Sequence, residues 1–177
     1  MRSIIIDTST EKPLILYAEG HEVVIKKTLP IGYQSSKHLI NMLGVDFEIV
    51  GVTQGPGLLT GVRVGMAAAQ GLSIGLEVPL VGLCSFRGFL REGVDAAVID
   101  AKVHGAYVMK RGGEGAFYTL EELPKALEGC SCIAGPNLRR VEFSNKIECE
   151  PDPYILLEQL IQKFQRREFG LTPNYLI

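Results

Sequence analysis

Two aspartates stand at the ends of apolar runs and open short polar turns. Asp7 directly follows the apolar run 4–6 and begins the turn 7–10 (DTST). Asp100 directly follows the apolar run 96–99. A carboxylate at a strand end followed by hydroxyl groups is suited to holding a metal-bound phosphate. The simpler interpretation is an Asx turn that closes a hairpin, and no lysine or glycine-rich adenosine loop completes a nucleotide site. The candidate residues for a vestigial nucleotide cleft are Asp7, Thr8, Thr10 and Asp100.

Other catalytic chemistry lacks the residues it would need. The histidines show neither HxxxH nor HExxH spacing, which argues against a metal site; they are His21, His38 and His104. The stretch 71–75 (GLSIG) has the letters of a serine nucleophile elbow, but Ser73 falls near the end of a predicted helix and not on a strand-to-helix turn. We therefore predict no catalytic residue and no metal site in this chain.

The cysteines indicate a reducing compartment. One CxC pair occurs without a second pair or a nearby histidine, and this is not a zinc pattern. The four residues are Cys84, Cys130, Cys132 and Cys149. We expect them to be unpaired, mostly buried thiols.

Composition describes an ordinary globular chain. Of its 177 residues, 46% are apolar and 21% are charged. The net charge of −2 argues against binding of a nucleic-acid backbone by this chain alone. The amino-terminal apolar run is too short for a secretory signal, and no stretch reaches the roughly 20 apolar residues of a membrane span. We expect a cytoplasmic protein that makes no membrane contact.

The central stretch 51–75 is predicted to form a strand, a sharp turn and a helix of unusually small residues. Pro56 and its flanking glycines fix the turn, and Thr60 is predicted to be the N-cap of a helix of about four turns. A stripe of small residues predicts close approach of another backbone, either from the protein's own sheet or from a partner. A phosphate cradle is a weaker alternative, because Walker A and GxGxxG spacings are absent. The stripe comprises Gly61, Gly65, Ala68 and Leu72, with Ala69 beside it.

The amino-terminal half is predicted to be α/β. The first three strands should form a meander, and the central helix between two apolar strands indicates a parallel βαβ crossover. The predicted strands are 3–6, 13–18, 22–29, 47–53 and 78–83. Besides the central helix, the predicted helices are one that begins at Ser35 or Ser36 and stops at Gly44, and a short one at 85–91.

The second half repeats the pattern of the first. Residues 96–111 contain an apolar strand, an aspartate at its end, a short polar turn and a second strand. This repeat predicts a duplicated fold with lobes at 1–93 and 94–177, although any hairpin with an acidic turn would look similar. The second lobe is predicted to include a C-terminal helix, 153–169, capped by Asp152 with Pro153 at its first position.

Several of these segments together resemble the TsaB (YeaZ) family. The most specific is GPGLLTGVRVG at 55–65 with the alanine-rich helix that follows. Supporting segments are IIIDTST at 4–10, SKHL at 36–39, IDAKVHGAYV at 99–108 and PNYL at 173–176.

The resemblance implies an actin-like, sugar-kinase-like (ASKHA, ribonuclease H-like) α/β fold of two related lobes, the second truncated. It also implies a noncatalytic partner subunit that supports a TsaD-type paralogue in forming N6-threonylcarbamoyladenosine at tRNA position 37. ATP and a metal are then expected in partner subunits and not in this chain. The resemblance further implies contact with a TsaE-type ATPase and with tRNA only through the complex, and a homodimer when the chain is alone.

The resemblance places TsaD docking on the first helix and on the helix after the glycine-proline turn. The small residues of the second helix would then let a partner helix approach closely. Carried onto this sequence, the partner interface comprises His38, Leu39, Met42, Gly61, Arg63, Gly65, Ala68, Ala69 and Leu72.

The sequence also departs from the family pattern. The chain is shorter than expected, Leu58 and Leu59 stand where Ser-Phe is typical, and Lys102 stands where an arginine is usual. Lysine lacks the bidentate fork of arginine, so we expect different contacts at this position. The alternative function is a self-sufficient ASKHA-type ATPase, or a small acyl or phosphoryl transferase, that uses Asp7 and Asp100.

Overall fold

A computed structural model of the protein describes residues 1–29, 46–102 and 105–173 and contains two five-stranded sheets. The first sheet has the order β3-β2-β1-β4-β5, with β1 at Arg2–Asp7, β2 at Leu14–Glu19, β3 at Glu22–Thr28, β4 at Ile49–Thr53 and β5 at Leu80–Leu83. The second has the order β10-β9-β6-β7-β8, with β6 at Ala96–Asp100, β7 at Gly105–Lys110, β8 at Gly115–Thr119, β9 at Ile133–Gly135 and β10 at Lys146–Glu148. The helices are α1 at Leu59–Leu76, a 3-10 helix at Ser85–Phe89, α2 at Leu123–Ala126 and α3 at Pro153–Gln165.

The two sheets have the same topology. Strand β1 pairs antiparallel with β2 and parallel with β4, and β6 likewise pairs antiparallel with β7 and parallel with β9. The predicted α/β fold of two related lobes is therefore confirmed. The second sheet keeps all five strands, but α2, the helix that packs on it, is only four residues long. This helix is thus much shorter than α1 and α3.

The first sheet lies between two helices, which explains why its central strand is a continuous apolar run. Ile4 and Ile6 pack on one face with residues of α1, while Ile5 packs on the other face with residues of α3. Successive side chains of a strand point to opposite faces, so a strand covered on both sides is apolar at every position. The predicted amino-terminal meander of β1, β2 and β3 is confirmed.

Helix α3 begins as predicted but packs on the lobe to which it was not assigned. Asp152 caps it, because Asp152 Oδ1 accepts hydrogen bonds from the backbone N–H groups of Tyr154 (2.9 Å) and Ile155 (3.3 Å). The helix ends at Gln165, and its buried face contacts apolar residues of β1, β2, β4 and β5. Its assignment to the second lobe is corrected, because the apolar surface it covers belongs to the first sheet. The boundaries 1–93 and 94–177 stay a prediction.

Helix α1 is longer than predicted and begins differently. It has 18 residues, and its N-cap is Leu58, which offers no side-chain hydrogen bond; Thr60 lies inside the first turn. The prediction of Thr60 as N-cap is therefore wrong. The chain entering the helix is held instead by the turn after β1, since the Leu58 N–H donates to the Ser9 carbonyl oxygen at 2.7 Å.

Three glycines allow this turn to lie directly against the start of α1. A Cβ at Gly57 would lie 2.0 Å from the Ser9 carbonyl oxygen, and one at Gly61 would lie 1.9 Å from the Thr8 carbonyl oxygen. A Cβ at Gly65 would lie 2.2 Å from the Thr8 hydroxyl oxygen. The close approach predicted from the small residues is therefore made, at these positions, within the chain.

Other predicted residues lie outside the described part of the chain. They are His38, Leu39 and Met42 of the predicted first helix, His104, and the terminal segment 174–177. Among the described helices, none has the length and apolar character needed to cross a membrane.

Two glycine-to-alanine substitutions on α1 should have opposite effects on stability. Gly61→Ala forces the helix away from Thr8, and overpacking of this kind costs about 1–3 kcal/mol. Gly71→Ala adds a methyl group where no atom lies within 4 Å, so better helix propensity should stabilise the protein by roughly 0.5–1 kcal/mol. Urea denaturation of both variants measures the two free energies of unfolding. Equal stability of the two variants would contradict the role given to Gly61.

Candidate functional site

The carboxylate of Asp7 is sealed inside the first lobe. Asp7 has no exposed surface, and its Oδ1 accepts hydrogen bonds from Ser9 N (2.9 Å), Ser9 Oγ (2.7 Å) and Thr53 Oγ1 (2.7 Å). Its Oδ2 has no hydrogen-bond partner among the described residues. Burial raises the pKa of the Asp7 carboxyl group, and the hydrogen bonds from Ser9 and Thr53 oppose that shift only in part.

The two threonines of the same turn are also engaged within the chain. Thr8 Oγ1 donates to the Gly61 carbonyl oxygen at 2.7 Å, which joins the turn to the first turn of α1. Thr10 Oγ1 accepts a hydrogen bond from Lys12 N at 3.2 Å and closes the turn. Both side chains are buried. These hydroxyl groups therefore serve the hairpin itself, as the Asx-turn interpretation expects.

Asp100 is paired with an arginine that local sequence patterns could not identify. Its Oδ1 accepts a hydrogen bond from Lys102 N at 2.8 Å and lies 3.3 Å from Arg140 Nη1. The same Arg140 nitrogen donates to the Lys102 carbonyl oxygen at 2.6 Å. Lys102 has a positive φ of 68°, so these contacts hold an uncommon backbone conformation. The negative charge of Asp100 is thus met by a guanidinium group of its own lobe.

Glu11 connects the two acidic turns. Its carboxylate forms an ion pair with the ammonium group of Lys102, and its Oε2 accepts a hydrogen bond from Asn137 Nδ2 at 2.7 Å. The expectation of different contacts at Lys102 fits this pairing through a single ammonium group. Glu11 directly follows the DTST turn, but Asn137 and Arg140 lie far along the chain, and no local pattern could have connected them with the acidic turns.

The geometry favours a connection between lobes over a phosphate site. The described residues contain no group of three or more histidine, cysteine, aspartate or glutamate side chains that could hold a metal ion. Asp7 is closed to solvent, and Asp100 and Lys102 are engaged by Arg140 and Glu11. A metal-bound phosphate would have to displace these contacts.

Most of the predicted docking residues of α1 face the protein's own sheet. Gly65 and Ala69 are buried, and Ala68 and Leu72 pack partly buried against the same core. Gly61 is half-buried against Thr8, and Arg63 is exposed. The docking assignment stays a prediction. Gly65 and Ala69, however, are covered by the chain's own residues and offer little surface to a partner in this structure.

The exposed face of α1 carries a different series of apolar and small residues. Val64 is 41% exposed and Ile74 is 78% exposed. The series has spacings of four, three, four and three residues, which is the pattern of a helix-packing seam. We call it the docking seam, and it comprises Thr60, Val64, Ala67, Gly71 and Ile74, all exposed. Four of these residues directly precede a residue of the predicted stripe, so the spacing was visible in the sequence and only burial shows which series faces outward.

The repeated strand order and the acidic turn after the first strand of each sheet define an actin-like, sugar-kinase-like α/β fold of two lobes. Two solved structures share this fold. YeaZ from Pseudomonas aeruginosa superposes with a TM-score of 0.77 at 20% identity, covering 99% of both chains. An uncharacterized protein from Pseudomonas aeruginosa, described as similar to peptidase YEAZ, gives a TM-score of 0.74 at 20% identity and the same coverage.

The chain belongs to the family described as "TsaD: tRNA N6-adenosine threonylcarbamoyltransferase", whose sequence model matches residues 35–130, more than half of the chain. The protein TsaB of Escherichia coli (strain K12) is 45% identical over 38 residues, which are 22% of this chain and 16% of that protein. A tRNA N6-adenosine threonylcarbamoyltransferase of Chlorobium phaeobacteroides is 38% identical over 74 residues, 36% of this chain and 21% of that enzyme. The chain thus spans about a fifth of the length of such curated relatives. The resemblance to the TsaB (YeaZ) family is confirmed.

The burial of Asp7 should give stability a characteristic pH dependence. Because the pKa of Asp7 is raised in the folded state, ionisation of Asp7 costs the folded state more free energy than the unfolded state. The stability that protonated Asp7 contributes is fully present below the unfolded-state pKa and is lost as pH rises through the folded-state pKa. Asp7→Asn cannot ionise, so its stability relative to wild type should rise between pH 4 and pH 8, by about 1.4 kcal/mol for each unit by which the pKa is raised. Urea denaturation across this pH range measures the difference. Parallel stability curves for the two proteins would contradict the raised pKa.

Proposed function

We propose that this chain is a noncatalytic subunit that binds a TsaD-type transferase and supports it in forming N6-threonylcarbamoyladenosine at tRNA position 37. The partner lays a helix along the docking seam of α1. The isolated chain uses the same seam to form a homodimer, which the partner replaces. The subunit works in the cytoplasm, and a TsaE-type ATPase and tRNA reach it only through the complex.

The observation that carries this proposal is the exposed docking seam. An aliphatic side chain such as Ile74, which is 78% exposed, gains roughly 1.5–3 kcal/mol when a partner buries it fully. Gly71 and Ala67 lie between Val64 and Ile74, and their small size lets a second helix come close to the backbone. A solvent-facing helix would ordinarily carry long polar side chains at these positions. The seam therefore fits a helical partner better than it fits water.

The two acidic turns support the noncatalytic part of the proposal. Asp7 is sealed and Asp100 is paired with Arg140, so the residues that would bind a metal-bound nucleotide are already engaged within the chain. ATP and its metal accordingly belong to the partner subunits. A net charge of −2 gives the chain little long-range attraction for tRNA, which agrees with contact through the complex. The chain is similar both to a protein named as a transferase and to one named TsaB, and similarity to both supports a pairing of two related chains.

The direct test is light scattering on a sizing column. The chain is run alone and then mixed with the TsaD-type protein of the same cell, with and without ATP. We expect a homodimer that gives way to a one-to-one mixed species. Absence of a mixed species in every nucleotide state would overturn the proposal. In that case, ATP hydrolysis by the lone chain that disappears in Asp7→Ala would support the alternative enzyme.

Substitutions in the docking seam should weaken the complex without unfolding the chain. Ile74→Glu places a charge on the most exposed apolar residue of the seam, and Gly71→Leu blocks close approach of the partner helix. Either change should raise the dissociation constant at least about fivefold, which corresponds to a loss of about 1 kcal/mol at a residue that contributes strongly to an interface. Isothermal titration calorimetry with the TsaD-type protein measures this constant.

The matched control lies on another helix. Tyr154 of α3 is also a large exposed side chain, at 58%, but it is outside the seam. Tyr154→Glu should bind the partner as wild type does. Unchanged affinity of Ile74→Glu and Gly71→Leu, or an equal loss in Tyr154→Glu, would overturn the assignment of the seam.

A further inference from the structure

The turn after β1 touches the docking helix on one side and the second lobe on the other. Toward the helix, Thr8 Oγ1 donates to the Gly61 carbonyl oxygen at 2.7 Å, and Ser9 accepts from the Leu58 N–H at 2.7 Å. Because Gly61 and Gly65 leave no space between the helix and Thr8, neither the helix nor the turn can shift by an ångström without moving the other. The position of the start of α1 is therefore set by Thr8 and Ser9.

Two residues further on, the same turn is attached to the second lobe. Glu11 pairs with Lys102, which follows β6, and accepts a hydrogen bond from Asn137, which follows β9. Lys102 is itself held at both its backbone groups, because its N–H donates to Asp100 and its carbonyl oxygen accepts from Arg140. Because the Lys102 backbone is fixed to the second lobe, a movement of that lobe displaces Lys102 and, through the ion pair, Glu11.

The turn between these two attachments is itself braced. Asp7 Oδ1 accepts hydrogen bonds from both the backbone and the side chain of Ser9 and from Thr53 on the neighbouring strand β4. Thr10 closes the remaining residues by accepting from Lys12 N. A short segment with this many internal hydrogen bonds moves as a unit, so displacement at Glu11 reaches Thr8 and Ser9.

We propose that the segment Thr8–Lys12 couples the arrangement of the two lobes to the position of the docking helix α1, with Glu11 as the positioning residue. Docking of a partner on α1 and rearrangement of the lobes are then linked, and the linkage is reciprocal: each changes the free energy of the other by the same amount. The coupling within the chain stands on the contacts above, while its effect on docking rests on the proposed function.

The test reverses the charges of the Glu11–Lys102 pair and measures amide hydrogen exchange in the isolated chain. The Leu58 N–H bonds to Ser9 and the Val62 N–H bonds to Leu58, so these amides report on how the helix sits on the turn. Glu11→Lys should speed their exchange about two- to fivefold, the size expected for loss of one partly exposed ion pair. Adding Lys102→Glu restores opposite charges, although not the hydrogen bond from Asn137, and should return both rates to within about twofold of wild type.

Two controls separate coupling from general destabilisation. The Val50 N–H, which bonds to the Pro79 carbonyl oxygen within the first sheet, should keep its exchange rate in every variant. Lys26→Glu breaks another ion pair, Lys26–Glu150 at 2.6 Å, which joins β3 to the segment before α3. Within the segment Thr8–Lys12, Glu150 interacts with Lys12 through charge, but it has no hydrogen bond or ion pair to Thr8, Ser9 or Glu11. Lys26→Glu should leave the exchange rates of the Leu58 and Val62 amides unchanged. Equal effects of Lys26→Glu and Glu11→Lys, or no effect of Glu11→Lys, would overturn the coupling.

Affinity for the TsaD-type protein gives the second measurement. Glu11→Lys should weaken binding about two- to fivefold, and the double variant should restore it. Failure of the wild-type chain to bind the TsaD-type protein would overturn the proposed function. The coupling within the chain would then be tested by the hydrogen-exchange rates alone. Normal binding by Glu11→Lys, together with faster exchange at Leu58 and Val62, would overturn the extension of the coupling to docking.

Discussion

The close approach of α1 to the turn after β1 is the constraint on which the rest of the structure depends. Main-chain and hydroxyl oxygens of Thr8 and Ser9 occupy the space that side chains at Gly57, Gly61 and Gly65 would fill. This contact lets Thr8 hydrogen-bond directly to the helix backbone, and it replaces the side-chain N-cap that α1 lacks. It also sets the rotation of α1, with Val62, Met66 and Ala69 against the sheet and Val64 and Ile74 facing outward. Helix rotation in turn decides which residues a partner can reach.

The acidic turns of the two lobes are both engaged by residues of the chain itself. The acidic turn after each first strand is present in both lobes. In the first lobe the carboxylate is buried under hydroxyl groups, and in the second it is met by Arg140. Burying an unpaired charge is costly, and a buried carboxyl group responds with a raised pKa, as Asp7 does. Glu11, Lys102 and Asn137 then join the turns directly to each other.

The chain's last helix ties the duplicated halves together. Its apolar face completes the covering of the first sheet, opposite α1, although the chain reaches it only after crossing the second sheet. Gln159 adds a polar contact by accepting a hydrogen bond from Cys84 N at 2.6 Å and donating to the Cys84 carbonyl oxygen at 3.3 Å. The lobes are therefore linked in topology as well as by Glu11, so they are not independent units of packing.

The sequence by itself determined the strands of the first sheet, the repeat of strand, aspartate and hairpin, the cap of α3, and the need for close approach along α1. Each of these depends on local properties: apolar periodicity, turn chemistry, capping groups and the absence of a Cβ. Only the tertiary structure decided that the glycines of α1 receive the protein's own turn, and that residues one position earlier face outward. It alone revealed the contacts of Arg140 with Asp100 and of Asn137 with Glu11, and the packing of α3 on the first sheet. These features depend on contacts between residues distant along the chain, and two neighbouring series with the same helical spacing cannot be told apart until one of them is covered.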